Sequence, residues 1–318
     1  MSVHVNPAFD VVTVGRAVVD LYPADDGRAP KDVDSYRQYL GGSPTNVAVA
    51  ASRAGLRSAV VTRTGDDLFH DFVVDRLEAF GVDSRWALAV PGRRTTLAVC
   101  DLQEPHEPGL TFFRDPQPPE ESLDADELGE AAAASRVLWI TASGFASEQS
   151  AAAHTAAFAT ADQVFLDLDY RADFWASESD VRDRLRPVLG RADAVIGNVR
   201  EVEIALGTSG TPADIARELL DSGPRLVVVK EGAKGALAAT AEGMIEQAAF
   251  DVQTINGLGA GDAFGGQLVH GATVGLPLED TMRNAVAAGA IVASRRGCSV
   301  AMPTMDEVAQ FLQSRSEL

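Results

Sequence analysis

The sequence predicts an α/β protein, a three-layer α/β/α sandwich around a mostly parallel central sheet. Three observations lead there. Short apolar runs recur along the chain: VVTVG (11–15), SAVVTRTG (58–65), RVLWIT (136–141), VFLDLD (164–169), DAVIGN (193–198) and RLVVVK (225–230). Stretches with helical periodicity and helix-ending residues separate them. Strand–helix–strand alternation builds parallel sheets with helices on both faces, and their ligands bind beyond the carboxyl ends of the strands. Third, two segments, 17–40 and about 93–115, break the alternation with β-prone runs and no helix between them.

Taken in order, VVTVG reads as a short buried strand closed by glycine. In SPTNVAVAASRAG (43–55), Ser43 is the expected N-cap, Pro44 the first helical residue and Gly55 the left-handed stop. After the next strand, DDLFHDFVVDRLEAFG (66–81) places Phe69, Val73, Leu77 and Phe80 on one helical face, with Gly81 just past its end. The segments 17–40 and 93–115, with runs such as TTLAVCDL and LTFF, predict a small β appendage, a candidate lid. Long surface excursions are the other reading, but long loops in compact domains are usually functional. DADELGEAAAAS (124–135) is an alanine-rich helix.

Composition excludes several classes. The 318 residues are 46% hydrophobic, with mean hydropathy near zero, as in ordinary globular proteins. A net charge of −19 argues against nucleic acid and anionic membranes as partners. No apolar run reaches the length of a membrane span. The start, MSVHVNPAFD, lacks the basic and apolar regions of a signal peptide. Two cysteines, Cys100 and Cys298, make no disulfide framework, so a reducing cytoplasm is expected. Histidines at 4, 70, 106, 154 and 270 show no zinc-binding spacing.

NGLGAGDAFGG (256–266) carries the most chemistry. Phe264, Leu268 and Ala272 fall at helical spacing, so a helix begins at about residues 260–262. The amides of Gly259, Ala260 and Gly261 then stand unpaired at the positive end of its dipole, an anion site that glycine lets a phosphate approach. No Lys-Ser/Thr follows the glycines, and the spacing is not that of a dinucleotide fingerprint. Asp262 in the first turn could simply complement the dipole, worth under about 1 kcal/mol. Alternatively it is a base: a hydroxyl attacking a phosphate in line needs one, whereas mere phosphate binding gains nothing from a carboxylate.

These residues resemble a known family. NGLGAGDAF resembles the second signature of the ribokinase-like (PfkB) sugar kinases, usually Asp-Thr-x-Gly-Ala-Gly-Asp, and LGGSPTNVAVAASRAG resembles their first. Asn198 and Glu201 in NVRE match the family's Asn-x-x-Glu, and VVVKEGAKG matches its strand and turn near the nucleotide. The resemblance spans nearly the whole chain in order. It implies one ribokinase-like kinase domain over residues 1–318, with the lid described above, using ATP and Mg²⁺. Within the family, GRAVVDLYP, RTGDD and FLDLDYRADFW look most like kinases of 5-dehydro-2-deoxy-D-gluconate in myo-inositol catabolism. Fructose and 2-keto-3-deoxygluconate are the alternative acceptors.

The resemblance also implies roles. Asp262 would be the catalytic base, with the amides of Gly259, Ala260 and Gly261 the anion hole. Asp20, Gly41, Gly42 and Asn46 would contact sugar hydroxyls, although Asp20 could serve a turn. Arg171 would reach phosphates or the acid end of the substrate, with Asp167 and Asp169 flanking it. Arg114 would meet a substrate carboxylate or be a plain surface arginine. Asn198, Lys230, Gly232, Gly235, Gly257 and Asn284 would line the nucleotide site. Glu201 and Asn198 would hold Mg²⁺ through water; Glu201 alone would read as a solvated helix carboxylate.

Departures from the pattern matter. Asn256 and Gly257 replace the signature's Asp-Thr, and in many relatives that Asp helps bind a monovalent cation, so such a cation stays open here. Asp169 replaces an Asn of the 2-keto-3-deoxygluconate kinases, and His70 stands where many relatives have glycine. A homodimer through the lid's β edges is expected. A non-catalytic nucleotide-binding α/β protein is the rival class, with Asp262, Glu201 and the anion hole against it. A dehydrogenase would need its glycine motif after the first strand, which runs instead into RAVVDLYP.

Overall fold

The computed structural model describes residues 7–316 except 26, 27 and 107; the start examined for a signal peptide, residues 1–6, lies outside the described residues. The chain begins with β1 (Phe9–Val14), β2 (Val18–Pro23), β3 (Tyr36–Gly41), α1 (Ser43–Arg53), β4 (Ser58–Gly65), α2 (His70–Ala79) and β5 (Val82–Val90). It continues with β6 (Leu97–Asp101), β7 (Gly109–Phe113), α3 (Ala125–Ala133), β8 (Ser135–Thr141), α4 (Glu148–Ala157), β9 (Gln163–Asp167) and α5 (Glu178–Leu189). Then come β10 (Ala194–Asn198), α6 (Val199–Leu206), α7 (Pro212–Asp221), β11 (Leu226–Lys230), β12 (Gly235–Thr240) and β13 (Gly243–Ala248). Helices α8 (Ala260–Val274), α9 (Leu278–Ala293) and α10 (Met305–Ser316) close it.

The central sheet has nine strands in the order β13-β12-β11-β10-β9-β8-β1-β4-β5. Every pair from β11 to β5 is parallel. Antiparallel pairing is confined to the edge, where the β12–β13 hairpin joins β11 through the reversed strand β12. Strand side chains alternate between the faces. Val12, Val14, Leu138 and Ile140 therefore pack with Leu128 of α3, Leu185 of α5, Val202 of α6 and Leu219 of α7. Their neighbours Val11, Val137 and Trp139 pack with Val47 of α1, Phe264 and Leu268 of α8 and Met282 of α9. The expected sandwich is thus built by period-two alternation. No helix among the described residues is long and apolar enough to cross a membrane.

The two segments that interrupt the alternation form a separate four-stranded sheet, in the order β3-β2-β6-β7. Strands β2 and β6 are its parallel pair; β3 and β7 flank them antiparallel. Chain direction decides the site. Strands β1 and β8 are adjacent, yet β1 leads on to β4 at one side and β8 to β9 at the other. That reversal of strand order opens a crevice beyond their carboxyl ends.

Two expected boundaries differ. Gly42, not Ser43, caps α1, with a left-handed φ of 98°; a side chain at Gly42 would run into the carbonyl of Arg16. Pro44 is accordingly one residue further into the helix, and Ser43 is free for another task. The helix expected over 66–81 begins at His70, because Asp67 is spent on the turn, accepting from the Thr95 amide at 2.7 Å. His70 itself, without a role in the sequence, bonds through Nδ1 to Thr64 Oγ1 at 2.7 Å. Gly55 and Gly81 take the left-handed stops, at φ 91° and 74°.

Candidate active site

At the crevice, Gly15 and Arg16 follow β1, and Ser143 follows β8. Arg16 is 4% exposed. Its guanidinium donates to Ser143 Oγ at 2.8 Å and to Asp169 Oδ2 at 2.6 Å, and lies over the Phe174 ring at 5.1 Å. Asp169, just beyond β9, gives its other oxygen to Arg171 at 2.9 Å. Burial works against charge on Asp169, but Arg171 and Arg16 hold its carboxyl below the usual carboxylate range.

The glycine-rich loop meets this crevice from the other side. Gly259 caps α8 in the left-handed region, φ 83°. The amides of Ala260, Gly261 and Asp262 precede the first internal bond of the helix, from Ala263 N–H to the Gly259 carbonyl at 2.9 Å. They are left pointing off the positive end of the helix, one residue on from the expected Gly259–Gly261 set, because Gly259 is the cap. Asp262 accepts from Ser43 Oγ at 2.7 Å and from Asn46 Nδ2 at 2.8 Å, both on α1. Burial and the Asp169 charge raise its carboxyl above the ordinary range, while the Ser43 and Asn46 hydrogen bonds pull it down. Asp20 on β2 is 5% exposed, and burial together with Asp262 pushes it up to about 7.

The first turn of α8 stands between two cavities. The smaller, about 40 Å³, is lined by Arg16, Asp20, Asn46, Arg171 and Asp262, with Leu110 and Phe112 from β7 of the second sheet across it. The larger, about 460 Å³, is lined by Lys230, Gly232, Gly235, Gly257, Ala260 and Gly261 and by the Val286–Gly289–Ala290 face of α9. Lys230 approaches Asp167 at 3.5 Å. Burial alone would push the ammonium down, but Asp167, Glu201, Asp262 and Asp169 hold it above its ordinary value. It remains a cation at the wall of the larger cavity. Gly235, at φ 115°, has no room for a side chain beside the Gln247 carbonyl.

Three expectations change, and the solvated-carboxylate alternative for Glu201 falls. Gly41 does not line the smaller cavity; a side chain there would overlap the Asp20 carboxyl, so Gly41 makes room for Asp20. Arg114 is not in that cavity either. It pairs with Glu120 and Glu121, both at 3.2 Å, and stacks on Phe174 at 4.2 Å. Asn284 is on α9 but faces away from the larger cavity, being out of phase with Val286, Gly289 and Ala290. Glu201 is not a solvated carboxylate. It is 8% exposed and accepts from the Asn198 amide at 2.6 Å and the Tyr170 amide at 3.2 Å.

Asn198 and Glu201 together form a capping box at the start of α6, with Asn198 Oδ1 accepting from the Glu201 amide at 2.9 Å. The Asn-x-x-Glu spacing itself carried that signal. Among the described residues no three or more His, Cys, Asp or Glu side chains cluster as a metal cage. Asn256 is fully buried: its Nδ2 reaches toward the Gly297 carbonyl at 3.3 Å, Tyr22 OH at 3.4 Å and the Leu258 carbonyl at 3.5 Å. Its Oδ1 accepts from the Leu258 amide at 3.1 Å. The sequence reading missed Arg16, Ser43 and Phe112. For Arg16 the signal was its place right after a strand, which needs the strand order to be read.

Comparison with known proteins fits this geometry. Residues 8–305 match the family described as pfkB family carbohydrate kinase. A 5-dehydro-2-deoxygluconokinase of Bacillus velezensis is 28% identical over 318 residues, covering 98% of this chain and 96% of that protein. A fructokinase double mutant from Vibrio cholerae, solved with fructose, ADP and a potassium ion, superposes with a TM-score of 0.85 at 29% identity, covering 97% and 100% of the two chains. An Escherichia coli protein assigned as a ribokinase II, in complex with ATP and Mg²⁺, gives 0.86 at 23% identity over 96% and 99%, a likeness of fold.

Proposed function

The chain belongs to the pfkB family of carbohydrate kinases, and from that premise we propose that it transfers the γ-phosphoryl group of ATP to the terminal hydroxyl of 5-dehydro-2-deoxy-D-gluconate. The observation that carries this reading is the position of Asp262. It stands at the helix start that separates a cavity of nucleotide size from a polar one.

In this reading ATP lies in the larger cavity, with Lys230 supplying positive charge near its phosphates. The amides of Ala260, Gly261 and Asp262 take the charge that develops on the migrating phosphoryl group, in a site that needs no reorganisation to receive it. Asp262, held by Ser43 and Asn46, accepts the proton of the attacking hydroxyl. Its raised affinity for a proton suits that task. Asp20 and Asn46 bind the other hydroxyls; Asn46 Oδ1 is buried without a partner among the described residues, as an acceptor for a ligand hydroxyl would be.

Mg²⁺ fits the residues present. Each Glu201 oxygen already accepts one backbone amide, and a carboxylate oxygen can accept further donors such as metal-bound water. One or two carboxylates beside the phosphates are what a hydrated, phosphate-bound ion requires. Glu201 and Asn198 would hold it, and when bound it neutralises charge between the phosphates.

The acceptor is proposed to be an acid because Arg171 faces the polar cavity, and because the Bacillus velezensis relative bears that activity in its name. The second sheet acts as a lid. The polar cavity has room for a water or two, so β7, carrying Leu110 and Phe112, must withdraw to admit a six-carbon acid and then close over it. A second copy is the expected partner at the open edges of that sheet, where Tyr36 and Phe113 are 39% and 59% exposed; sedimentation tests it. Both free thiols, Cys100 and Cys298, are buried, as suits action in a reducing cytoplasm. ATP consumption over a panel of the acid, fructose and 2-keto-3-deoxygluconate tests the function: the acid should give the highest kcat/KM, and no consumption with any of them would favour a non-catalytic relative.

A further inference from the structure

We propose that Arg16 is the residue that selects an anionic acceptor, reading its carboxylate together with Arg171. The inference rests on the acid-kinase reading above and deepens it. Arg16 and Arg171 both line the polar cavity opposite Asp262. Asp169 bridges them, giving Oδ2 to Arg16 and Oδ1 to Arg171. Asp20 and Asp262 line the same cavity, but among the described residues Asp169 is the one carboxylate that pairs directly with either guanidinium. Glu120 and Glu121 make their ion pairs with Arg114 instead.

The hydrogen-bond inventory points the same way. Arg16 Nε and Arg171 Nε are both buried without a hydrogen-bond partner among the described residues. A guanidinium has five N–H donors and no acceptor, and buried donors are almost always paired. An acceptor carboxylate supplies two oxygens and the charge-assisted bonds that guanidinium donors favour. A neutral hexose offers hydroxyls, which can accept a hydrogen bond but bring no negative charge to the two guanidiniums. Arg16 is also the better fixed of the two. Ser143 and Asp169 hold its terminal nitrogens and Phe174 lies against its plane, so its fork is oriented before the acceptor arrives. Arg171 is 38% exposed along its side chain and, among the described residues, is held by Asp169 alone.

The test is a comparison of 5-dehydro-2-deoxy-D-gluconate with fructose in the wild-type protein, Arg16→Lys and Arg16→Gln, with thermal unfolding of each as a control for folding. Lysine keeps a charge for Asp169 but has no Nε–H and no fork. In both variants the acid-to-fructose ratio of kcat/KM should fall at least tenfold, with the loss carried by KM for the acid rather than by kcat. A residue that only holds Asp169 in place would be rescued by lysine, so an unchanged ratio in a folded Arg16→Lys overturns the proposal. If neither variant folds, nitrogen-15 NMR of the wild type decides: the Arg16 Nε–H signal should shift on titration with the acid and not with fructose, and an indifferent signal overturns it. Failure of the acid-kinase reading looks different, because the wild type itself would then prefer fructose.

Discussion

Asn46 donates its side-chain amide to Asp262 across 2.8 Å, tying the first turn of α1 to the first turn of α8. Residues far apart in the chain are thereby held as one unit, and the carboxylate that the kinase reading makes a base has a fixed direction. Asp262→Asn keeps the shape and removes the base. We expect turnover to fall by roughly 10²- to 10⁴-fold while ATP still binds, as measured by calorimetry beside steady-state rates. A variant that kept more than about a tenth of wild-type turnover would remove Asp262 from the chemistry.

Asp20 should make stability depend on pH. Its carboxyl rises from 3.8 to about 7 on folding, chiefly through burial and then through Asp262. The folded state therefore binds the proton more tightly than the unfolded state. The contribution is fully present below about pH 4 and is lost as pH rises through about 7, amounting to a few kcal/mol at most. Asp20→Asn cannot ionise, so its stability relative to wild type should grow between pH 5 and pH 8. Urea midpoints at the two pH values check this; a constant difference would mean that Asp20 is not strained by its charge.

Asn256 should make a monovalent cation dispensable in this protein. Its amide hydrogens face two carbonyl oxygens and the Tyr22 hydroxyl, the kind of oxygen cluster that would otherwise suit a cation. Replacing KCl by choline chloride is expected to change turnover less than about twofold, well under the tenfold that 1.36 kcal/mol of barrier represents. Asn256→Asp would bury a carboxylate beside those oxygens. It should lower the melting temperature in choline, with partial recovery in potassium. Strong potassium dependence of the wild type would contradict this account of Asn256.

The second sheet should respond to the acceptor. With the acid bound, amides of β2, β3, β6 and β7 are expected to gain hydrogen-exchange protection, and to gain less with ATP alone. Phe112 meets the Phe174 ring at 5.0 Å, so the second sheet touches the residue over which Arg16 lies. Phe112→Ala should raise KM for the acid several-fold. Equal exchange with and without saturating acid would leave the sheet a static wall.

Much of this protein is written locally. The apolar runs of β1, β4, β8, β9, β10 and β11 and the helix start at Ala260 follow from periodicity and glycine placement, which act between near neighbours in the chain. Asp262 could be singled out for the same reason, because the loop, the helix end and the carboxylate lie within a few residues. The second sheet was legible as an interruption of the alternation. What tertiary structure alone decided are the pairings. Whether Arg114 meets Glu120 and Glu121 or a ligand, whether Gly41 touches a sugar or shelters Asp20, and which face of α9 carries Asn284 all depend on how distant segments pack. Arg16 shows this most plainly: its site exists because β1 and β8 lie side by side, a neighbour relation made by long-range pairing, and no local pattern around residue 16 encodes the Asp169 it holds.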